Sequence, residues 1–312
     1  MTAARPARPF TYAPMPDAER VLLGRAPEEA AVLIPRLYNI GAAAQGAAAA
    51  AALGLAGGSG DAIRAEIVRE HGLFLFHHLP LALGEARDNE GLAILRAEDA
   101  AARLPRHLFG MHFPAALSLA DLSPLQLDTL LERGETATTR TLARVATFDP
   151  AWARADLPDL TLPEAEAALA DDTASPARDA TLLTRVRGMP LLAALIARDG
   201  PSLLTRLLAR VLDLCACLAP SSLEVLSGAR PHGIGFAQAA RGTLVHRARV
   251  AEGRVMSYKM LAPSRWTLAP GGLLERMLDA LPARAEAGLI ARLSLLAVNP
   301  CVAVRLASPL DA

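Results

Sequence analysis

The residues best suited to chemistry here are three cysteines and seven histidines, and their neighbours divide them. Cys301 stands in Ala297-Val298-Asn299-Pro300-Cys301-Val302-Ala303-Val304, behind an apolar run at 289–296 that reads as a helix or strand delivering an Asn-Pro turn into a covered place. A deprotonated thiol there is a soft ligand for iron, nickel or zinc, and the proline fixes the backbone that presents it. The other reading is a buried packing thiol, the commoner fate of a lone cysteine. Cys215 and Cys217 lie two positions apart in a helical pattern, about 200° apart around the axis, so they cannot share an ion. They are expected to be structural.

The remaining candidates are weaker. His77 and His78 are adjacent; on a helix such neighbours point about 100° apart and do not both grip one ion, so they read as a structural or solvent-facing pair. His107 and His112 have a ligand-like spacing but no carboxylate or cysteine close by, and Asp171-Asp172 reads as a solvated pair in a connection. Gly233-x-Gly235 lacks the last glycine and the preceding strand of a dinucleotide fingerprint.

The elements that must position these residues form an α+β, predominantly α-helical chain. Residues 1–20 read as an extended arm with an edge strand at Phe10-Thr11-Tyr12, where little function can be placed, and 21–312 as one domain. A helix from Pro27 is expected to stop at Pro35 and an alanine-rich helix to begin near Gly41. Asp61 is expected to cap a helix over 62–75, followed by a helix over 90–104 and a loop holding His107, His112 and Pro114. Helices follow over 123–131 and 138–148, then an acidic, proline-containing connection at about 149–178 with one short helix at 163–170. The strongest helical signal spans 181–218, with Leu204, Leu207, Leu208, Val211, Leu214 and Cys215 at core spacing. Glycines then break helix, and 243–250 with 254–261 reads as a β-hairpin turning at 251–253. A helix at 273–281 precedes the Cys301 element.

Composition excludes several functions. With 52% hydrophobic residues among 312, the chain can build a substantial core unaided. A formal net charge of zero and 4% aromatics offer neither a phosphate-tracking face nor a stacking platform, so no nucleic-acid partner is expected. An odd number of cysteines fits a reducing compartment, and no signal-peptide core follows Met1 to Pro9. The expected location is the cytoplasm, with the mature chain starting near Met1. The apolar residues of 41–58 are nearly all alanine, too weak for insertion, so no membrane span is expected.

Several segments, in order, resemble the large subunit of nickel–iron hydrogenases, and in particular its shortened, degenerate relatives of the HupK/HoxV type that assist hydrogenase maturation. The best part is Ala240-Arg241-Gly242-Thr243-Leu244-Val245-His246 with its hairpin, followed by Ala262-Pro263-Ser264-Arg265-Trp266; the family has a similar Pro-Arg-Gly-Thr-Leu-x-His stretch, a hairpin and a Pro-x-x-Trp. Leu23-Gly24-Arg25-Ala26-Pro27, running into Pro35-Arg36, resembles the family's Gly-Arg-x-Pro segment, and 178–185 resembles a Glu-Thr-Gly-x-Leu-x-Arg stretch more weakly.

The resemblance also implies losses. Where the family's first cysteine pair should stand, this chain has Tyr38 and Gly41, with Gln45 in place of a histidine. The family's Asp-Pro-Cys-x-x-Cys-x-x-His becomes Asn299-Pro300-Cys301 with Val304 and Ala307 at the later positions. Of four expected thiolates only Cys301 is retained, so no nickel and no hydrogen cleavage are expected. What the resemblance implies instead is a non-catalytic maturation scaffold or chaperone. It would transiently hold an Fe(CN)2CO unit through Cys301, with Arg241 donating to the cyanides or serving as an ordinary turn arginine. A small iron-carrying maturation chaperone, and the immature large subunit or other accessory proteins, are the implied partners. The other class of reading is a metal-free structural or regulatory interaction protein.

Overall fold

A computed structural model describes residues 8–13, 19–38, 40–110, 118–170, 176–218 and 225–307. The expectations for His112, Pro114 and Asp171-Asp172 lie outside the described residues. The fold is α+β and 54% helical, with a small antiparallel sheet in the C-terminal part.

Three consecutive helices build one wall of what becomes the site. α1 (Pro27–Leu37) starts on Pro27 and carries Glu28 and Glu29 in its first turn, where carboxylates favour the positive helix end. It runs through Pro35 rather than stopping there, because a proline two residues from the helix end forfeits a single backbone bond. α2 (Ala42–Ala52) is the alanine-rich helix, capped by Gly41 in the left-handed region at φ 71°. α3 (Gly60–Leu73) is capped by Ser59, whose Oγ accepts the Ala62 N–H at 3.4 Å, and not by Asp61. Nor does it end near Leu75: the helix widens into a π-turn over Phe74–His78 and continues as Leu79–Ala82. Pro80 has no N–H for the Phe76 carbonyl, and the Asp88 N–H takes that acceptor at 2.7 Å.

The expected 90–104 helix is two helices, Asn89–Ile94 and Ala100–Phe109. His107 lies in the second of these rather than in a loop, with Nε2 2.6 Å from Asp88 Oδ2. Serine and threonine capping boxes start Pro124–Arg133 and Ala137–Ala146. The helix Leu203–Leu218 runs through the main core and brings Arg206, Arg210 and Asp213 inside it.

The expected hairpin is half of a sheet. β2 (Ser227–Arg230), β3 (Ile234–Ala239), β4 (Gly242–Ala251) and β5 (Arg254–Leu261) pair antiparallel in that order. The glycines that read as helix breakers are partly a packing device: a Cβ on Gly235 would overlap the Ala48 carbonyl oxygen, so its absence lets α2 lie directly on β3. The helix Ala287–Val298 then leads into β6 (Val304–Leu306). β6 pairs antiparallel with β1 (Phe10–Tyr12), matching Phe10 to Leu306 and Tyr12 to Val304. The amino-terminal arm is therefore stitched to the strand that follows Cys301. Among the described residues, no helix is long and apolar enough to cross a membrane.

Candidate functional site

Cys301 is presented by a helix end that cannot continue. The Ala287–Val298 helix closes at Asn299, a non-glycine residue held left-handed at φ 48°, and Pro300 follows. Arg210 reaches across from the Leu203–Leu218 helix and donates to the Ala297 carbonyl at 2.9 Å, using an acceptor the last turn leaves open. The Cys301 N–H donates to Ser264 Oγ at 2.7 Å, and Arg241 donates through Nη1 to the Pro300 carbonyl. Three elements remote in sequence thus fix one thiol.

Arg241 is itself held by Glu70 of α3, with Nε 3.4 Å from Oε2. Glu70 Oε1 also accepts the Gly41 N–H at 3.2 Å, and Glu66, one turn earlier, accepts those of Ala43 and Ala44 at 3.0 and 3.1 Å. The two carboxylates satisfy the open amides at the α2 N-terminus, and Glu70 ties that end to the arginine beside Cys301.

A cavity of about 240 Å³ opens among these groups, lined by Tyr38, Gly41, Gln45, Glu70, Arg241 and Cys301, with apolar side chains completing the wall. Cys301 and Arg241 therefore meet Tyr38, Gly41 and Gln45 in one place. Val304 and Ala307 do not join them: Val304 sits in β6 opposite Tyr12, and the Ala307 N–H donates to the Pro9 carbonyl at 2.8 Å. A larger cavity of about 360 Å³ lies elsewhere, by Arg185, Gln238 and Thr243.

Burial sets the chemistry of each wall. It pushes the Cys301 thiol above the usual range, opposed only in part by the Arg241 charge and the Ser264 hydrogen bond, so the thiol is neutral and must lose its proton to bind a metal. Burial, with Glu19 nearby, pushes the Tyr38 phenol up to about 12, and its hydroxyl points to Met260 Sδ at 3.6 Å. Burial drives His246 down to about 3; it is neutral, with Nδ1 2.8 Å from Tyr258 Oη and Nε2 2.7 Å from Gln45 Oε1. Cys215 and Cys217 are both pushed up to about 12 by burial, as expected of packing thiols. His77 is half-buried and His78 exposed, their rings edge-on at 4.9 Å.

This donor set does not fit a four-thiolate nickel–iron centre. The cavity holds one soft ligand, and among the described residues no group of three or more His, Cys, Asp or Glu is placed to hold a metal ion. It does fit a metal unit whose coordination sphere is already mostly filled, because one thiol and neighbouring hydrogen-bond donors are what such a guest needs. Sequence reasoning missed Glu66, Glu70, Ser264 and Arg210. The four-residue spacing of the two glutamates, which puts them on one helix face, was the available signal.

The nickel-dependent hydrogenase family profile matches residues 165–281. The Rhodobacter capsulatus hydrogenase expression/formation protein HupK is 38% identical over 292 residues, covering 93% of this chain and 89% of that protein. The chain belongs to the HupK family. HupV of Azotobacter chroococcum, also a hydrogenase expression/formation protein, is 32% identical, with 93% and 90% of the two chains covered. Among solved structures, an NAD+-reducing [NiFe]-hydrogenase in its H2-reduced state superimposes with a TM-score of 0.55 at 17% identity, covering 93% of this chain and 90% of that one. The Ni-Fe-Se hydrogenase of D. vulgaris Hildenborough gives 0.54 at 14% identity, with 93% and 91% covered. The HupK-type chain thus has the fold of a hydrogenase large subunit.

Proposed function

We propose that this HupK-type protein is a non-catalytic hydrogenase maturation factor that transiently holds or protects an Fe(CN)2CO unit while a nickel–iron hydrogenase large subunit is assembled. The observation that carries this reading is the Cys301 cavity, which brings Arg241 and one thiol together with the non-ligating Tyr38, Gly41 and Gln45. The iron unit is cargo here, not a resident cofactor. Cys301 supplies one thiolate once its proton leaves, and Arg241 offers a donor for cyanide. Ser264 and the Pro300 carbonyl contact keep the thiol in place. Nickel is not part of the reading. Partners of the cytoplasmic protein are a small iron-carrying maturation chaperone, the immature large subunit and other accessory proteins.

The neutral, half-buried thiol favours a second reading, a metal-free structural or regulatory interaction protein of the same assembly machinery. Complementation separates the two. A host lacking this protein, supplied with Cys301→Ala, should lose mature hydrogenase activity if the thiol carries the cargo. Wild-type activity with Cys301→Ala contradicts the carrier reading and supports the metal-free one.

A further inference from the structure

Gln45 is a polar residue of the same cavity. It lies in the first turns of α2, 7% exposed, and lines the cavity with Cys301 and Arg241. Its carboxamide oxygen faces His246 Nε2 at 2.7 Å, and His246 Nδ1 faces the Tyr258 hydroxyl at 2.8 Å. All three side chains are buried.

The orientation of this chain follows from donor and acceptor counting. Among the described residues Tyr258 makes no other hydrogen bond through its hydroxyl, so its proton must go to His246 Nδ1 or remain buried without an acceptor. With Nδ1 accepting, Nε2 carries the hydrogen of the neutral ring and donates to the Gln45 oxygen. That leaves the Gln45 N–H2 group turned to the cavity. The opposite arrangement strands the phenolic proton and turns an acceptor inward.

We propose that Gln45 is a ligand-binding residue of the cavity: its amide N–H2, fixed by the His246–Tyr258 chain, donates to a small acceptor such as a cyanide nitrogen of the bound iron unit. The inference rests on the reading of the cavity as an iron-unit berth. It makes Gln45 and Arg241 a pair of donors from different elements, so that two ligands of one guest can be distinguished by position.

The test has two arms on the full chain. In 15N-histidine-labelled protein, His246 should show the Nε2–H tautomer by NMR; the Nδ1–H tautomer overturns the proposal. In protein co-produced with the hydrogenase maturation machinery and kept anaerobic, Gln45→Leu should shift at least one cyanide infrared band while leaving the carbonyl band nearly in place. Gln45→Glu keeps the His246 hydrogen bond and so guards against a folding failure; it turns an acceptor inward and should lose the bands. Cyanide bands that do not move in Gln45→Leu overturn the role of Gln45 and leave the berth standing. Bands absent from wild-type protein overturn the berth reading, and the assignment of this ligand with it.

Discussion

At the scale of single residues, burial decides which groups in and beside the site stay uncharged. Cys301 and His246 both pay for burial by resisting charge, the thiol through a raised pKa and the imidazole through one near 3. The histidine has a measurable consequence. Its folded pKa lies below its unfolded value of about 6.5, so the unfolded chain binds the extra proton first and stability falls as pH drops from about 6.5 toward 3. The slope from this one group is at most about 1.4 kcal/mol per pH unit. Urea midpoints between pH 7 and pH 4 should fall less steeply in His246→Gln than in wild type; equal slopes would assign the acid sensitivity to other groups. Cys301→Ala removes a half-buried thiol whose backbone is independently fixed by Ser264. It should cost about 1 kcal/mol or less by calorimetry.

Among the elements, α2 matters most, because it carries Gln45, starts at the cavity and lies on β3. Glu66→Gln keeps the side-chain shape and one acceptor but removes the charge at the α2 N-terminus. It should destabilise by about 1 kcal/mol in urea unfolding, more than an exposed Glu→Gln change elsewhere. Gly235→Ala places a methyl against the Ala48 carbonyl oxygen and should cost about 3 kcal/mol or abolish soluble expression. A neutral result there would mean that α2 and β3 sit farther apart than described.

These same elements mark how much was legible in advance. The alanine-rich helix, the strong helical run and the β4–β5 hairpin show in composition, periodicity and turn residues, which are local signals. β2 and β3 did not, because Gly235 answers to the helix lying over it and Gly228 to the Phe236 ring of the neighbouring strand, demands invisible in each strand's own sequence. The extension of α3 past Leu75 likewise depends on Asp88 accepting the role that Pro80 vacates. Cys301 was marked by its Asn-Pro turn and Arg241 by a resemblance in motif order, whereas Ser264 acts through a tertiary contact and Glu70 left only its four-residue spacing from Glu66 as a signal.

For the molecule as a whole, the ends and the core converge on Cys301. The β1–β6 pairing secures the strand just beyond it, so deleting residues 1–13 should speed amide exchange at 304–306 and around Cys301 while the β2–β5 sheet stays protected. Unchanged exchange would show that the pairing does not hold the segment. Behind the site, Asp213 accepts two bonds from Arg185, at 3.1 and 2.5 Å, and lies 2.7 Å from His71 Nε2. Burial works to raise the Asp213 carboxyl, but Arg185 and His71 outweigh it and hold it below the usual range. Asp213→Ala strands a buried arginine and should cost about 3–5 kcal/mol in urea unfolding, a loss that a peripheral pair such as Arg198 with Asp128 does not approach.

The most direct measurement is an anaerobic infrared spectrum of the full-length protein purified from cells producing the complete maturation machinery. Cyanide and carbonyl bands in wild type that vanish in a folded Cys301→Ala protein are the predicted result. No bands in wild type, or the same bands in Cys301→Ala, would contradict an iron unit held by this thiol.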